Sequence, residues 1–252
     1  MALASVTVDG HVATLALAPV DGFADRAFSF ALADAAAAIA GADDVHAVVV
    51  RAAGVDFCAG WSAEALAAPE GVAGVPPLAA GIEALAALPQ PTVAAIGGRA
   101  LSAGLELALA CDIRIAGDDA RFAMPETSSG TLPRAGGSQR LPRAVGRAHA
   151  LRLLLLGEEV DAVEARRIGL VSRVVPRSEL DAAAAALAAT IASRGPIATR
   201  FAKEAVHRGS ELTLEQALRY ELDLTLLLQT TADRAEGVRA FAARRPPNFI
   251  GR

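Results

Sequence analysis

The sequence predicts an α/β fold whose last third is helical. Two observations carry this. Through the first half, short apolar or alternating runs take turns with alanine-rich segments of helical spacing. After Ser138 the strand signals almost vanish while helical spacing continues. A third observation is the short punctuation by glycine, proline and aspartate between these runs, the pattern of parallel strands joined by crossover helices.

Val6 to Val8 and His11 to Leu17 alternate around Asp9-Gly10, a turn dipeptide that predicts a hairpin. Pro19 to Asp25 reads as a loop, and Ala27 to Ala40 as a helix stopped by Gly41. Ala47 to Val50 is a continuous apolar strand, Leu78 to Leu88 a helix, and Pro91 to Ile96 a strand. Gly97 to Asp112 is a small-residue turn running into an apolar helix that carries one acid, Glu106. Asp112 to Ala116 alternates, and Phe122 to Met124 is extended, ending at Pro125 directly before Glu126. Beyond Ser138 only Val171 to Val175 reads as strand. Helices are predicted over Arg147 to Leu156, Val163 to Arg167, Glu179 to Ala192, Ile197 to Arg208, Leu214 to Leu228 and Ala232 to Ala243.

At 252 residues, with 53% hydrophobic content and a mean hydropathy of +0.38, the chain can bury a substantial core. Much of the apolar count is alanine. No uninterrupted apolar run reaches the roughly 18–20 residues a membrane helix needs, so no membrane span is expected. The first ten residues have no basic residue ahead of an apolar core, which leaves no visible export signal and predicts a cytoplasmic protein. A net charge of −4 argues against a nucleic-acid partner. Cys58 and Cys111 lie in apolar contexts without CxxC spacing, which predicts two reduced buried thiols. His11, His46, His149 and His207 lack metal-ligand spacing, so no metal site is expected and surface or capping roles are predicted for them.

Chemistry concentrates in two turns. In the Gly97 turn, backbone N–H groups point outward at the positive end of the helix that carries Glu106. Phe57-Cys58-Ala59-Gly60 is a second small-residue turn, after which the N–H of Trp61 can donate. Two such turns can converge on one oxygen and stabilise an enolate formed from a thioester; losing one donor from such a hole typically costs about 10²–10³ in rate. Either turn alone also fits an ordinary buried turn.

From about Val6 to Arg252 the chain resembles the crotonase superfamily of enoyl-CoA hydratases and isomerases. The resemblance rests on four ordered blocks: Phe57-Cys58-Ala59-Gly60; Gly104-Leu105-Glu106-Leu107-Ala108 with Cys111-Asp112-Ile113; Pro125-Glu126 leading to Gly130; and Pro133 with Gly136-Gly137-Ser138-Gln139-Arg140-Leu141. It implies a crotonase-like fold of repeated β-β-α units, with an α/β core over residues 1–195. Residues 196–252 would form a helical trimerisation and lid region.

By the same resemblance, the backbone N–H groups of Trp61 and Ala103 form the oxyanion hole. Glu106 orients and activates water, and Glu126 exchanges the α-proton. Ala59, Gly60, Gly104, Pro133, Gly136, Phe241 and Arg244 are implied substrate contacts. The implied reaction adds water across the double bond of a trans-2-enoyl-CoA, with no cofactor beyond the coenzyme A of the substrate, in a homotrimer or hexamer. Double-bond isomerisation, dehydration of a hydroxyacyl-CoA, and acyl-CoA or RNA binding without turnover are the alternatives. The chain departs from the family pattern at Ala103 and Arg134, where glycine is usual, and at Trp61-Ser62, where a small residue and aspartate are common. The loop Ala18 to Arg26 lacks the asparagine and basic residue that many relatives place near the CoA phosphates.

Overall fold

Ala4–Asp9 (β1) and Val12–Leu17 (β2) form the expected hairpin, with Asp9 opposite Val12 and Gly10 at φ +54° in the turn. The structure, a computed structural model, describes residues 2–67 and 77–252. Phe23–Ala24 (β3) leads to Arg26–Ala40 (α1), whose first turn is capped by the Asp25 carboxylate accepting from Phe28 N at 2.7 Å. Ala47–Ala52 (β4), Gly60–Trp61 (β5), Ala63–Ala67 (α2) and Ala80–Ala86 (α3) follow. Next come Thr92–Ile96 (β6), Arg99–Leu101 (β7), Ala103–Ala110 (α4), Ile113–Gly117 (β8) and Arg121–Ala123 (β9). The remainder is Gly137–Leu156 (α5), Val160–Asp161 (β10), Ala162–Arg167 (α6), Arg173–Val175 (β11), Leu180–Ala192 (α7), Pro196–Gly209 (α8), Leu214–Leu228 (α9) and Ala232–Ala242 (α10).

Six strands make the main sheet in the order β1-β2-β4-β6-β8-β11, antiparallel at the hairpin and parallel elsewhere. The central strands β4 and β6 are largely apolar on both faces because both faces are covered. Val48 and Val50 face the helices α1, α3 and α4, while Ala47 and Val49 face Leu180, Ala184 and Ala188 of α7. In the pairs β4/β5, β6/β7 and β8/β9, a main-sheet strand is followed by a short strand in a side sheet, then by helix. This is the repeated β-β-α plan.

Helix α8 is tied to the core by polar contacts. Lys203 Nζ lies 2.8 Å from Asp112 Oδ2 and donates to the Gln90 carbonyl, and His207 Nε2 meets Asp112 Oδ1 at 2.9 Å. The C-terminal tail folds back onto α10, where the Asp233 carboxylate accepts from Ile250 N and Gly251 N. No described helix is long and apolar enough to cross a membrane.

Three expectations change. Helix α5 starts at Gly137 rather than Arg147, because Pro142 and Gly146 interrupt the periodicity; Gly146 bends the helix at φ 78°, ψ 160°. The two- and three-residue strands β5 and β7 fall in stretches read as turn or helix, and β10 in a stretch between two expected helices, all being too short to show alternation. His46 is buried instead of lying at the surface. It stacks on His11 with ring centroids 4.1 Å apart, and burial and the neighbouring His11 lower its pKa.

Candidate active site

The two small-residue turns are stitched together by main-chain bonds. Phe57 N donates to Gly97 O at 2.9 Å, Cys58 N to Arg99 O at 3.0 Å, and Leu101 N to Cys58 O at 3.0 Å. Glycine makes this approach possible. A Cβ on Gly98 would sit 2.6 Å from Val55 O, and one on Gly104 would overlap the Cys58 carbonyl oxygen. Outside the turns, the Arg99 guanidinium clamps Asp56 at 2.7 Å and holds its carboxyl below the usual range.

Gly60, at φ +133°, faces Ser102, with only 3.4 Å between a Cβ placed on Gly60 and the Ser102 Cβ. Ser102 itself has φ 50°, ψ −116°, a strained conformation for a non-glycine residue immediately before α4. The residues that follow each of these two, Trp61 and Ala103, are the expected oxyanion donors. Ala103 N–H opens α4 and therefore has no acceptor within the helix. On the other side, Ala59 N donates to Gly22 O at 2.7 Å and Ser62 N to Ala24 O at 2.8 Å, fixing the turn that contains Trp61.

Glu106 is 0% exposed. Its Oε1 accepts from Ala135 N at 2.7 Å and Gly137 N at 2.9 Å, while no described group donates to its Oε2. Burial raises its pKa, the two N–H groups oppose that rise, and the charge of Glu126 adds to it. Glu126, on the 3₁₀ turn Glu126–Ser129, is 5% exposed, and neither of its carboxylate oxygens has a donor among the described residues. Its own carbonyl accepts from Thr131 N and from the Thr131 and Ser129 hydroxyls, which fixes the turn. Two buried carboxylates thus present three unsatisfied oxygens, an arrangement suited to holding and deprotonating water.

The loop after Pro133 acts through Glu106. Gly136, at φ +94°, turns the chain so that the N–H groups on either side of it reach the carboxylate. Sequence reasoning assigned Pro133 and Gly136 to this region but missed Ala135 and Gly137, whose contribution is main-chain and leaves no side-chain signature. The one available signal was the Gly136-Gly137 pair. Cys58 is buried and its thiol is pushed up to about 11, which suits packing rather than nucleophilic attack. Phe241 is 87% exposed on α10, and Arg244, at φ 53°, follows the end of that helix. Neither is part of the buried cluster around Glu106. The loop after β2, including Pro19, Val20 and Gly22, and the stretch Ala53 to Asp56 line a cavity of about 520 Å³.

Comparison with known proteins places this geometry. A Mycobacterium bovis protein named probable enoyl-CoA hydratase echA8 is 49% identical over 168 residues, 67% of this chain and 65% of the relative, so the match spans just under two thirds of that relative's length. A probable enoyl-CoA hydratase of Rhizobium meliloti is 41% identical over 227 residues, 89% of this chain and 83% of the relative. The crystal structure of an enoyl-CoA hydratase from Bacillus anthracis superposes with a TM-score of 0.93 at 36% identity, covering 99% of this chain and 100% of that one. Residues 24–252 match the family described as enoyl-CoA hydratase/isomerase, and the chain belongs to that family, within the crotonase superfamily.

Proposed function

We propose that the protein is an enoyl-CoA hydratase that adds water to a trans-2-enoyl-CoA to give a 3-hydroxyacyl-CoA. The observation that carries this reading is the pair of buried carboxylates beside two convergent turns. The thioester carbonyl docks between Trp61 N–H and Ala103 N–H, which stabilise the enolate as its negative charge develops. Water held between Glu106 and Glu126 loses a proton to the pair as its oxygen bonds to C3, and Glu126 delivers a proton to C2. The proton that Glu126 gives up is replaced from the water whose hydroxyl adds, so the carboxylates end the cycle as they began.

We assign the coenzyme A portion to the cavity walled by Pro19 to Gly22 and Ala53 to Asp56, which is joined to the Ala59 turn through the Gly22 carbonyl. Leu214, Leu218, Leu222 and Leu226 form a row along α9 exposed to between 53% and 76%, the face on which a trimer or hexamer would assemble. Phe241 and Arg244, on the helical tail, are assigned to a neighbouring subunit's substrate in that assembly.

Incubation with crotonyl-CoA in ¹⁸O-water tests the reaction. The expected product is 3-hydroxybutyryl-CoA with the label at C3. Migration of the double bond without incorporated oxygen would replace hydration by isomerisation, and tight acyl-CoA binding without product would make the site a binding site.

A further inference from the structure

Trp61 is the sole tryptophan of the chain, and its backbone role in the proposed oxyanion hole does not use its side chain. The residue is 5% exposed, and its backbone is held by the pairing of β5 with β3, Trp61 lying opposite Ala24. The indole Nε1–H has no acceptor at hydrogen-bond distance among the described residues. A buried donor of this kind ordinarily finds a partner. The candidate acceptor lies on the facing helix turn: Gly60, next to Trp61, faces Ser102, whose carbonyl accepts from Glu106 N at 3.0 Å, and the Trp61 N–H, last after burial, Gly137, Ala135 and Glu126, favours the charged form of the Glu106 carboxyl. Glu106 Oε2 is also the oxygen that the Ala135 and Gly137 N–H groups leave unsatisfied.

We propose that Trp61 is a positioning residue for Glu106, its indole N–H closing onto Oε2 so that the carboxylate is held from both ends while its remaining lone pairs face the cleft. Oε1 is gripped by two main-chain N–H groups of the Gly136 turn, whereas Oε2 is gripped by the chain's one tryptophan side chain. The inference rests on reading Glu106 as a reacting group, but its first test does not.

Because Trp61 is the only tryptophan, its fluorescence reports on Glu106 in the unliganded protein. We expect the emission to step with pH at a midpoint above the ordinary glutamate value of 4.5. The step should vanish in Glu106→Gln and persist in Glu126→Gln with a lower midpoint, since one neighbouring negative charge is gone. A flat wild-type trace, or a step that survives in Glu106→Gln, overturns the proposal. The second test is Trp61→Phe, which keeps an aromatic ring and removes the donor. With crotonyl-CoA, kcat should fall about tenfold with little change in KM, and the acid limb of the pH profile should move to higher pH. An unaltered profile overturns the proposal. Absence of turnover in the wild type counts against the hydratase reading and leaves the fluorescence result to decide the contact.

Discussion

At neutral pH Glu106→Gln is expected to unfold at a higher temperature than the wild type. Burial raises the Glu106 pKa, so its contribution to stability is full while it is protonated and is lost as pH rises through the folded-state value. Glutamine remains neutral throughout. The gain should therefore appear in thermal melts at about pH 7.5 and disappear below the unfolded value of 4.5. Equal melting shifts at both pH values would contradict the account. Gly137→Ala acts on the same carboxylate at Oε1, to which Gly137 N donates. Its Cβ would lie 2.8 Å from Met124 Cε and from Pro133 Cβ and 3.1 Å from Glu106 Oε1, so the loop must shift, at a cost of about 1–3 kcal/mol. Activity should fall with it, which steady-state kinetics and denaturant melts together would show. Both glutamates were legible in the sequence through the ordered blocks that resemble the crotonase superfamily, since an acid in an apolar helix or an acid after proline fits an ordinary structural role when taken singly. The Ala135 and Gly137 donors were not, since a backbone N–H is the same in every residue and only the folded loop aims it.

Among the elements, α4 depends on one glycine. Alanine in a helix ordinarily stabilises relative to glycine by about 1 kcal/mol, and Gly237→Ala in α10 should do so, its Cβ meeting Phe249 at an ordinary 3.6 Å. Gly104→Ala should reverse the sign, because its Cβ would overlap the Cys58 carbonyl and push the two turns apart. Loss of stability and of activity in Gly104→Ala, beside a stabilised Gly237→Ala, is the outcome expected from paired denaturant melts. The main-sheet strands and most helices were readable from periodicity, since each runs long enough to show it. The side strands β5 and β7 were not, although they position the turns, because two or three residues carry no period and are held by partners distant in sequence. Helix α5 was half hidden for a related reason: Pro142 and Gly146 interrupt a helix that its packing preserves through Leu141, Val145 and Ala150.

For the whole molecule, the join between core and C-terminal helices turns on Asp112. Burial pushes its pKa up, but Lys203 and His207 outweigh that and hold it below the ordinary value. Lys203→Met removes the cation 2.8 Å away and should cost as much as about 3–5 kcal/mol, read as a lower denaturation midpoint. In the wild type this contribution is present above the unfolded value of 3.8 and is lost as pH falls through the lowered folded value. The exposed leucine row on α9 predicts light scattering at the mass of three or six chains rather than 25.6 kDa, and the double variant Leu218→Glu/Leu222→Glu should shift it toward the single chain. The measurement closest to the central claim follows the loss of enoyl-thioester absorbance when crotonyl-CoA meets the wild type, Glu106→Gln and Glu126→Gln. The account predicts turnover in the wild type and a fall of about 10²–10⁴ in each variant. Wild-type rates in either variant, or no turnover in any of the three, would contradict it.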